Sequence, residues 1–230
     1  MKEVLNIIQL SEKLLIAVKM QENTFIYEQK LSELTLDELQ KQLVNDDDKK
    51  VFWINCYNAF FQLLAKRNEL VKKSIFKSKL ITIANTKFSL DNIEHGILRK
   101  YRWKLSFGYL PNIFASKIIK SLAVSKLDFR IHFALNCGAK SCPPIAFYTL
   151  EKIDNQLQMA MISFLESETF VDYENKKITT SKLIYWYQGD FGGRTKILTL
   201  LKQVLNLKEK EYKLLFSKYS WETQLENYSS

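Results

Sequence analysis

Between Lys49 and Ala65 the chain carries a helix's worth of residues with almost no polar side. Placed at 100° per residue from Phe52, the side chains of Phe52, Trp53, Ile54, Cys56, Ala59, Phe60, Phe61, Leu63 and Leu64 cover nearly the whole circumference. Asn55 and Asn58, one turn apart, form the single polar wedge. A helix of this kind has no face for water, so the fold must wrap other elements around it. Two amides inside such a core must be hydrogen-bonded, either tying down a loop or orienting a reactive group. Asn45 to Asp48 supply the cap and an acidic first turn for its start.

The wrapping is within the chain's means. With 230 residues, 47% of them apolar and 13% aromatic, a sizeable core is expected and disorder is not. Only 6 Gly and 3 Pro are available for sharp turns, which points to long elements, mostly helices. An amphipathic helix is expected from Val4 to about Met20, and a short one from Leu36 to Leu43 with Thr35 as N-cap and Glu38 completing a capping box. Ser89 caps a helix running to about Tyr101, in which Leu90, Ile93, Ile97 and Leu98 form the buried arc and Glu94 falls in its middle. A carboxylate there needs a donor, and its neighbour His95 is a titratable group suited to chemistry.

Leu70 to Ile83 carries no clear period, and Trp103 to Leu110 reads as extended. Further helices are expected over Leu150–Leu165, Thr195–Leu205 and Glu209–Lys218, and a hairpin joins Phe170–Tyr173 to Lys177–Thr180. The expected fold is α+β, a mostly helical single domain with a small mixed or antiparallel sheet around a central buried strand over 130–137. Residues 1–45 form a helical N-terminal elaboration, 46–206 the core and 207–230 a C-terminal helix and tail.

The expected central strand ends in a turn that concentrates reactive side chains. One of two histidines and two of three cysteines lie between His132 and Cys142, after which Pro143 and Pro144 stop any ladder. In a regular strand His132 and Cys137 point to opposite faces, about 16 Å apart. His95, remote in sequence, is then the base to consider for a thiol nucleophile at Cys137 or Cys142, with Glu94 or Asp190 to orient it. N–H groups of Gly138 to Ser141, or the amides of Asn55 and Asn58, are the candidate oxyanion donors.

An odd number of cysteines makes no disulfide framework, and redox chemistry between Cys137 and Cys142 is the weaker option. Zinc is disfavoured because the spacing of His95, His132, Cys137 and Cys142 follows no compact ligand pattern. Phosphate loops, dinucleotide fingerprints and HExxH are absent, and no cofactor is implied. The net charge is +9, from 34 Lys and Arg against 25 Asp and Glu. Its nearest clusters are Lys72, Lys73, Lys77 and Lys79, then Lys117, Lys120 and Lys126. Spread along the chain as they are, these read as solvated surface rather than a nucleic-acid stripe. The apolar stretch from Val4 to Val18 is interrupted by charge, so the chain reads as cytoplasmic and not transmembrane.

Three segments, Phe52–Phe60, Asp91–Arg99 and Arg130–Pro144, resemble the signature segments of the domain of unknown function family 547. Tyr187-Gln188-Gly189-Asp190-Phe191 looks like its later motif, and the resemblance spans about Leu36 to Leu205. It implies that Asn55, Tyr57, Asn58, Glu94, His95, His132, Cys137, Cys142 and Asp190 are this chain's counterparts of the family's characteristic positions. It implies no activity. The residues themselves suggest a thiol-dependent hydrolase or acyltransferase acting on an amide, ester or thioester of an acyl, peptide or other small-molecule substrate. The alternative is a binding or scaffolding domain whose basic surface meets an acidic partner.

Overall fold

A computed structural model describes residues 6–67, 72–208 and 211–229, without the side chains of Lys72 and Lys73. The basic pair Lys72 and Lys73 named above therefore falls outside the described side chains. Val4, Leu70, Glu209 and Lys210, which belonged to expected segments, fall outside the described residues.

Three helices, α1 (Ile7–Lys19), α2 (Phe25–Glu33) and α3 (Leu36–Gln42), lead into the long α4 (Asp46–Lys66). Thr35 and Glu38 form the capping box of α3, and Asn45 with Asp48 forms another at the start of α4. Helix α1 lays Ile7, Leu14, Leu15 and Val18 along α4, whose residues from Val51 to Gln62 are all buried. The all-round apolar helix is the axis of the larger hydrophobic cluster.

A single turn, α5 (Lys72–Ile75), precedes a hairpin of β1 (Ile81–Ile83) and β2 (Thr86–Phe88). Ala84 and Asn85 turn this hairpin with φ of 51° each, the backbone of a tight two-residue turn. The helix begun by Ser89 winds as a π-helix from Asn92 to Leu98, so that Arg99 N–H reaches back to Glu94 O. Trp103 to Leu110 is not extended. It contains a 3₁₀ turn over Lys104–Ser106 and is closed at its ends by Trp103 N–H to Leu110 O and a bridge between Arg102 and Pro111. Helix α6 (Lys117–Leu122) then sets Ile119 against Gly96 of the π-helix.

The chain from 130 to 137 is not a strand. Phe129–Phe133 is a 3₁₀ helix capped by Asp128, followed by loop to Cys137. A strand's backbone needs a neighbouring strand, and α4 provides the bonds instead. Asn58 Nδ2 donates to Ala134 O at 2.9 Å and its Oδ1 accepts from Asn136 N–H at 3.0 Å. Without a regular strand, His132 and Cys137 are not held on opposite faces.

Beyond the turn come α7 (Ile153–Ser167), which buries Ile153, Leu157, Met161 and Phe164 as its period predicts, and the expected hairpin of β3 (Phe170–Asp172) and β4 (Lys177–Thr180). Helices α8 (Lys182–Trp186) and α9 (Arg194–Val204) follow. The helix expected over 209–218 is replaced, in its described part, by β5 (Lys213–Phe216), which lies parallel to β4. Its alternation of buried Tyr212 and Leu214 with exposed Glu211 and Lys213 fits a strand period. The architecture is α+β, with a two-stranded sheet β1-β2 and a mixed sheet β3-β4-β5. The residues after β5 run back over the cysteine turn: Gln224 N–H bonds Gly138 O, Lys140 N–H bonds Glu222 O and Ile145 N–H bonds Asn227 O.

Candidate active site

A second hydrophobic cluster, built from α7, α8, α9 and β5, meets the first at the 3₁₀ turn, where Phe133 belongs to one and Ile131 to the other. At this seam lies a cleft of about 400 Å³. Tyr57, Glu94, His95, His132, Cys137 and Cys142 line it together, with Tyr187, Trp186, Tyr219 and Trp221. Most of its wall is apolar. Asn55 and Asn58 stand behind it and are fully buried: Asn55 pairs both ways with the backbone of Tyr148, and Asn58 holds the loop before Cys137 as described.

Asp190 organises the polar side. Its Oδ2 accepts from Arg99 Nε at 2.6 Å and from His132 Nε2 at 2.8 Å, and both its side chain and that of Arg99 are wholly buried. Burial alone would push the Asp190 carboxyl up, but the His132 hydrogen bond and the Arg99 guanidinium outweigh it and hold the group below the usual carboxylate range. An ionised carboxylate only accepts. His132 therefore carries a hydrogen on Nε2, and in its neutral form the free lone pair is on Nδ1. Burial pushes His132 below the ordinary imidazole value despite the pull of Asp190. Its ring stacks on Tyr187 with centroids 4.0 Å apart.

His95 is held in the opposite sense. Arg99 Nη1 lies 2.9 Å from His95 Nδ1, and arginine has only hydrogens to offer, so Nδ1 accepts and the proton resides on Nε2. Burial lowers the basicity of this imidazole too, against the pull of Glu94. Glu94 accepts from Tyr187 Oη at 2.6 Å and from Tyr57 Oη at 3.2 Å. Burial opposes its charge, and His95, the Tyr187 hydroxyl and Arg99 together keep it well below the ordinary carboxylate range. The π-winding makes this cluster: Glu94 and Arg99 are one wide turn apart, and both point inward.

Cys137 and Cys142 form a disulfide, a single local bridge rather than a framework, so neither is a free thiol in this structure. Cys56 is the free thiol, packed wholly inside α4's core, where burial pushes its pKa up. Asn136 shapes the cysteine turn by giving Nδ2 to Pro143 O and taking Gly138 N–H. Gly138, Lys140 and Ser141 give their N–H groups to Asn136 Oδ1, Glu222 O and Ser220 O, so three of the four expected backbone oxyanion donors are engaged. Tyr219 Oη lies 3.3 Å from Cys137 Sγ and 3.1 Å from Cys142 Sγ.

Sequence reasoning passed over Arg99, Tyr187 and Tyr219. Arg99 hides behind the π-helix, because a wheel of ordinary pitch sends it off the buried arc. Tyr219 sits past the recognised motifs and reaches the sulfurs only through the return of the chain after β5. Among the described residues no group of three or more His, Cys, Asp or Glu side chains is arranged to hold a metal ion.

A family model described as "Protein of unknown function, DUF547" matches residues 41–165, more than half of the chain. The match takes in α4, the π-helix and the cysteine turn, and ends before Tyr187, Asp190 and Tyr219. No curated protein and no solved structure matches.

Proposed function

We propose, for a chain that belongs to the DUF547 family of proteins of unknown function, that the cleft performs thiol-dependent acyl transfer, hydrolysing or transferring the acyl group of an amide, ester or thioester. The observation that carries this reading is the buried His132–Asp190 pair, 2.8 Å apart, in the wall of the cleft that both sulfurs line. The competent form is the dithiol, produced when an external thiol reduces the Cys137–Cys142 bond. One cysteine then passes its proton to His132 Nδ1, and Asp190 keeps the ring oriented and stabilises the imidazolium. The thiolate attacks the carbonyl carbon, a C–S bond forms and the carbonyl electron pair moves to oxygen. His132 returns the proton to the leaving group, and water or an acceptor nucleophile later takes the acyl group from sulfur.

The base in this scheme is His132 rather than His95, whose Nδ1 already accepts from Arg99. The developing oxyanion meets Tyr219 Oη, beside both sulfurs, while the Nε2–H of His95 faces Asp91 at 3.5 Å. Glu94 secures Tyr187, on which His132 stacks.

The test is acylation of the reduced protein by an activated aryl thioester, followed by intact-mass and peptide analysis. One adduct on Cys137 or Cys142 is expected, with its rate at neutral pH reduced about 10²-fold or more in His132→Asn. Tyr219→Phe should slow the reaction by a similar order, as loss of an oxyanion donor does. Absence of an adduct, or equal rates in wild type and His132→Asn, would overturn the reading.

The disulfide itself favours a second reading, dithiol–disulfide exchange. A substrate thiolate attacks one sulfur, forming a mixed disulfide and releasing the other as thiolate. Catalytic reduction of a small disulfide by the reduced protein, with no acyl adduct, would select it.

A further inference from the structure

The acyl-transfer reading makes no use of the surface beside the cleft, where charge and apolar exposure coincide. From Gly96 to Leu127 the sequence contains no Asp or Glu and seven Lys or Arg, of which all but the buried Arg99 are available to the surface. Within it, the sixteen residues from Trp103 to Ile118 hold eight of the nineteen exposed large apolar side chains among the described residues. Phe114 is 88% exposed, Leu105 76% and Ile113 70%. Single exposed apolar residues are ordinary, but such a concentration marks a contact surface.

The loop that carries five of these side chains, Trp103 to Leu110, is fastened beneath them. Ser106 Oγ bonds Trp103 O and accepts from Leu110 N–H, and Phe107 O accepts from Gly189 N–H at 2.8 Å. At Gly108, with φ of 86°, a side chain would collide with Asp190, and one at Gly189 would strike the backbone of Gly108. The loop is a rigid prong seated on the Asp190 turn. Lys79, Lys87, Arg102 and Lys104, the last paired with Asp91 at 2.8 Å, surround Trp103, Phe114 and Ile118 in one concavity of about 480 Å³, and Lys117 and Lys120 follow on α6.

We propose that this prong docks the protein on an anionic membrane surface, with Ile113, Phe114 and their neighbours entering the acyl boundary and the lysines meeting the headgroups. The exposed apolar run from Leu105 to Phe114 carries no Lys or Arg of its own, while Lys79, Lys87, Arg102, Lys104, Lys117 and Lys120 flank it, so an apolar centre lies inside a basic margin. Headgroups satisfy each cation separately, and Trp and Tyr among aliphatic residues suit the interfacial layer. A second copy of the chain would bring a surface of the same sign. No helix among the described residues is long and apolar enough to cross a membrane, so the contact is peripheral. Leu105, Phe107 and Lys104 also line the cleft, which places its mouth beside the bilayer.

The experiment is co-sedimentation of the full chain with phosphatidylcholine vesicles and with mixed phosphatidylcholine–phosphatidylglycerol vesicles, alongside sedimentation velocity without lipid. Binding to the mixed vesicles should be about tenfold or more tighter and should weaken in high salt, each basic residue near the surface contributing about fivefold. Ile113→Ser with Phe114→Ser should weaken it about tenfold with an unchanged thermal midpoint, and Lys117→Glu with Lys120→Glu should remove the preference for the anionic lipid. No binding to mixed vesicles, or equal binding by Ile113→Ser with Phe114→Ser, would overturn the proposal. So would a lipid-independent dimer that this double substitution dissociates, since the prong would then be covered by a second copy.

Discussion

His132 answers two opposing demands. Burial disfavours its charge while Asp190 favours it, and burial wins, so the folded protein holds a neutral imidazole that an unfolded chain would protonate more readily. His95 is in the same position, with Arg99 adding to the effect of burial. The sign follows directly: below about pH 6.5 the unfolded state binds more protons than the folded one, so acid favours unfolding, by about 1.4 kcal/mol per pH unit for each such group until its folded pKa is reached. Asp190 and Glu94 have lowered values, so their contribution is present above the ordinary carboxylate range and lost as pH falls through and below it. Urea titrations at pH 7.5 and 5.5, values chosen to lie about one unit either side of the free imidazole, should therefore show lower stability at the acid value. His95→Gln combined with His132→Asn should flatten that difference, and an unaltered slope would contradict the assignment. At this scale Glu94 was legible, since a carboxylate in the middle of a buried arc must be paired and is. Arg99 was not, because no residue-level signal announces a π-turn.

Elements were legible where period and caps agree. The N-cap at Asn45, the capping box at Thr35 and the i, i+4 pattern of Ile153, Leu157 and Met161 each lead to the helix observed. The segment 130–137 misled because β-like residues record burial, and burial here is against α4 rather than beside another strand. Asn58 does a strand partner's bonding with one side chain, and Asn55 does the same at Tyr148. Asn58→Leu should leave Ala134 O and Asn136 N–H buried without partners, a loss of roughly 2 to 6 kcal/mol at about 1–3 kcal/mol for each orphaned group. Native-state hydrogen exchange should show the Asn136 amide exchanging fast while α4 amides remain protected; a stability loss under about 1 kcal/mol would mean the loop holds itself. The β1-β2 hairpin was missed because Ala84-Asn85 is not the Asn-Gly pair that advertises such a turn, and β5 because an alternation over so few residues beside lysines is easily taken for a helix face.

The whole molecule explains why the site is assembled from so many places. Two hydrophobic clusters meet at the 3₁₀ turn, the π-helix supplies Glu94, His95 and Arg99 to the seam, and the Gly189–Asp190 turn closes it against the prong. The chain after β5 folds over the cysteine turn and brings Tyr219 to both sulfurs, an arrangement that only long-range packing could reveal. Lys66 pairs with Glu226, and Gln62 accepts Glu226 N–H, fastening that return to α4. The same axis helix therefore holds the turn from behind and its cover from in front. The central claim is that His132, oriented by Asp190, activates a thiol of this turn. It is tested most directly by alkylating the reduced native protein with iodoacetamide across pH and reading each cysteine by mass spectrometry. The account predicts that one of Cys137 and Cys142 reacts with a midpoint at or below about 7.5 and that the midpoint moves toward the ordinary thiol value of about 8.5 in His132→Asn. Both cysteines titrating near about 8.5 in wild type and variant alike would contradict it.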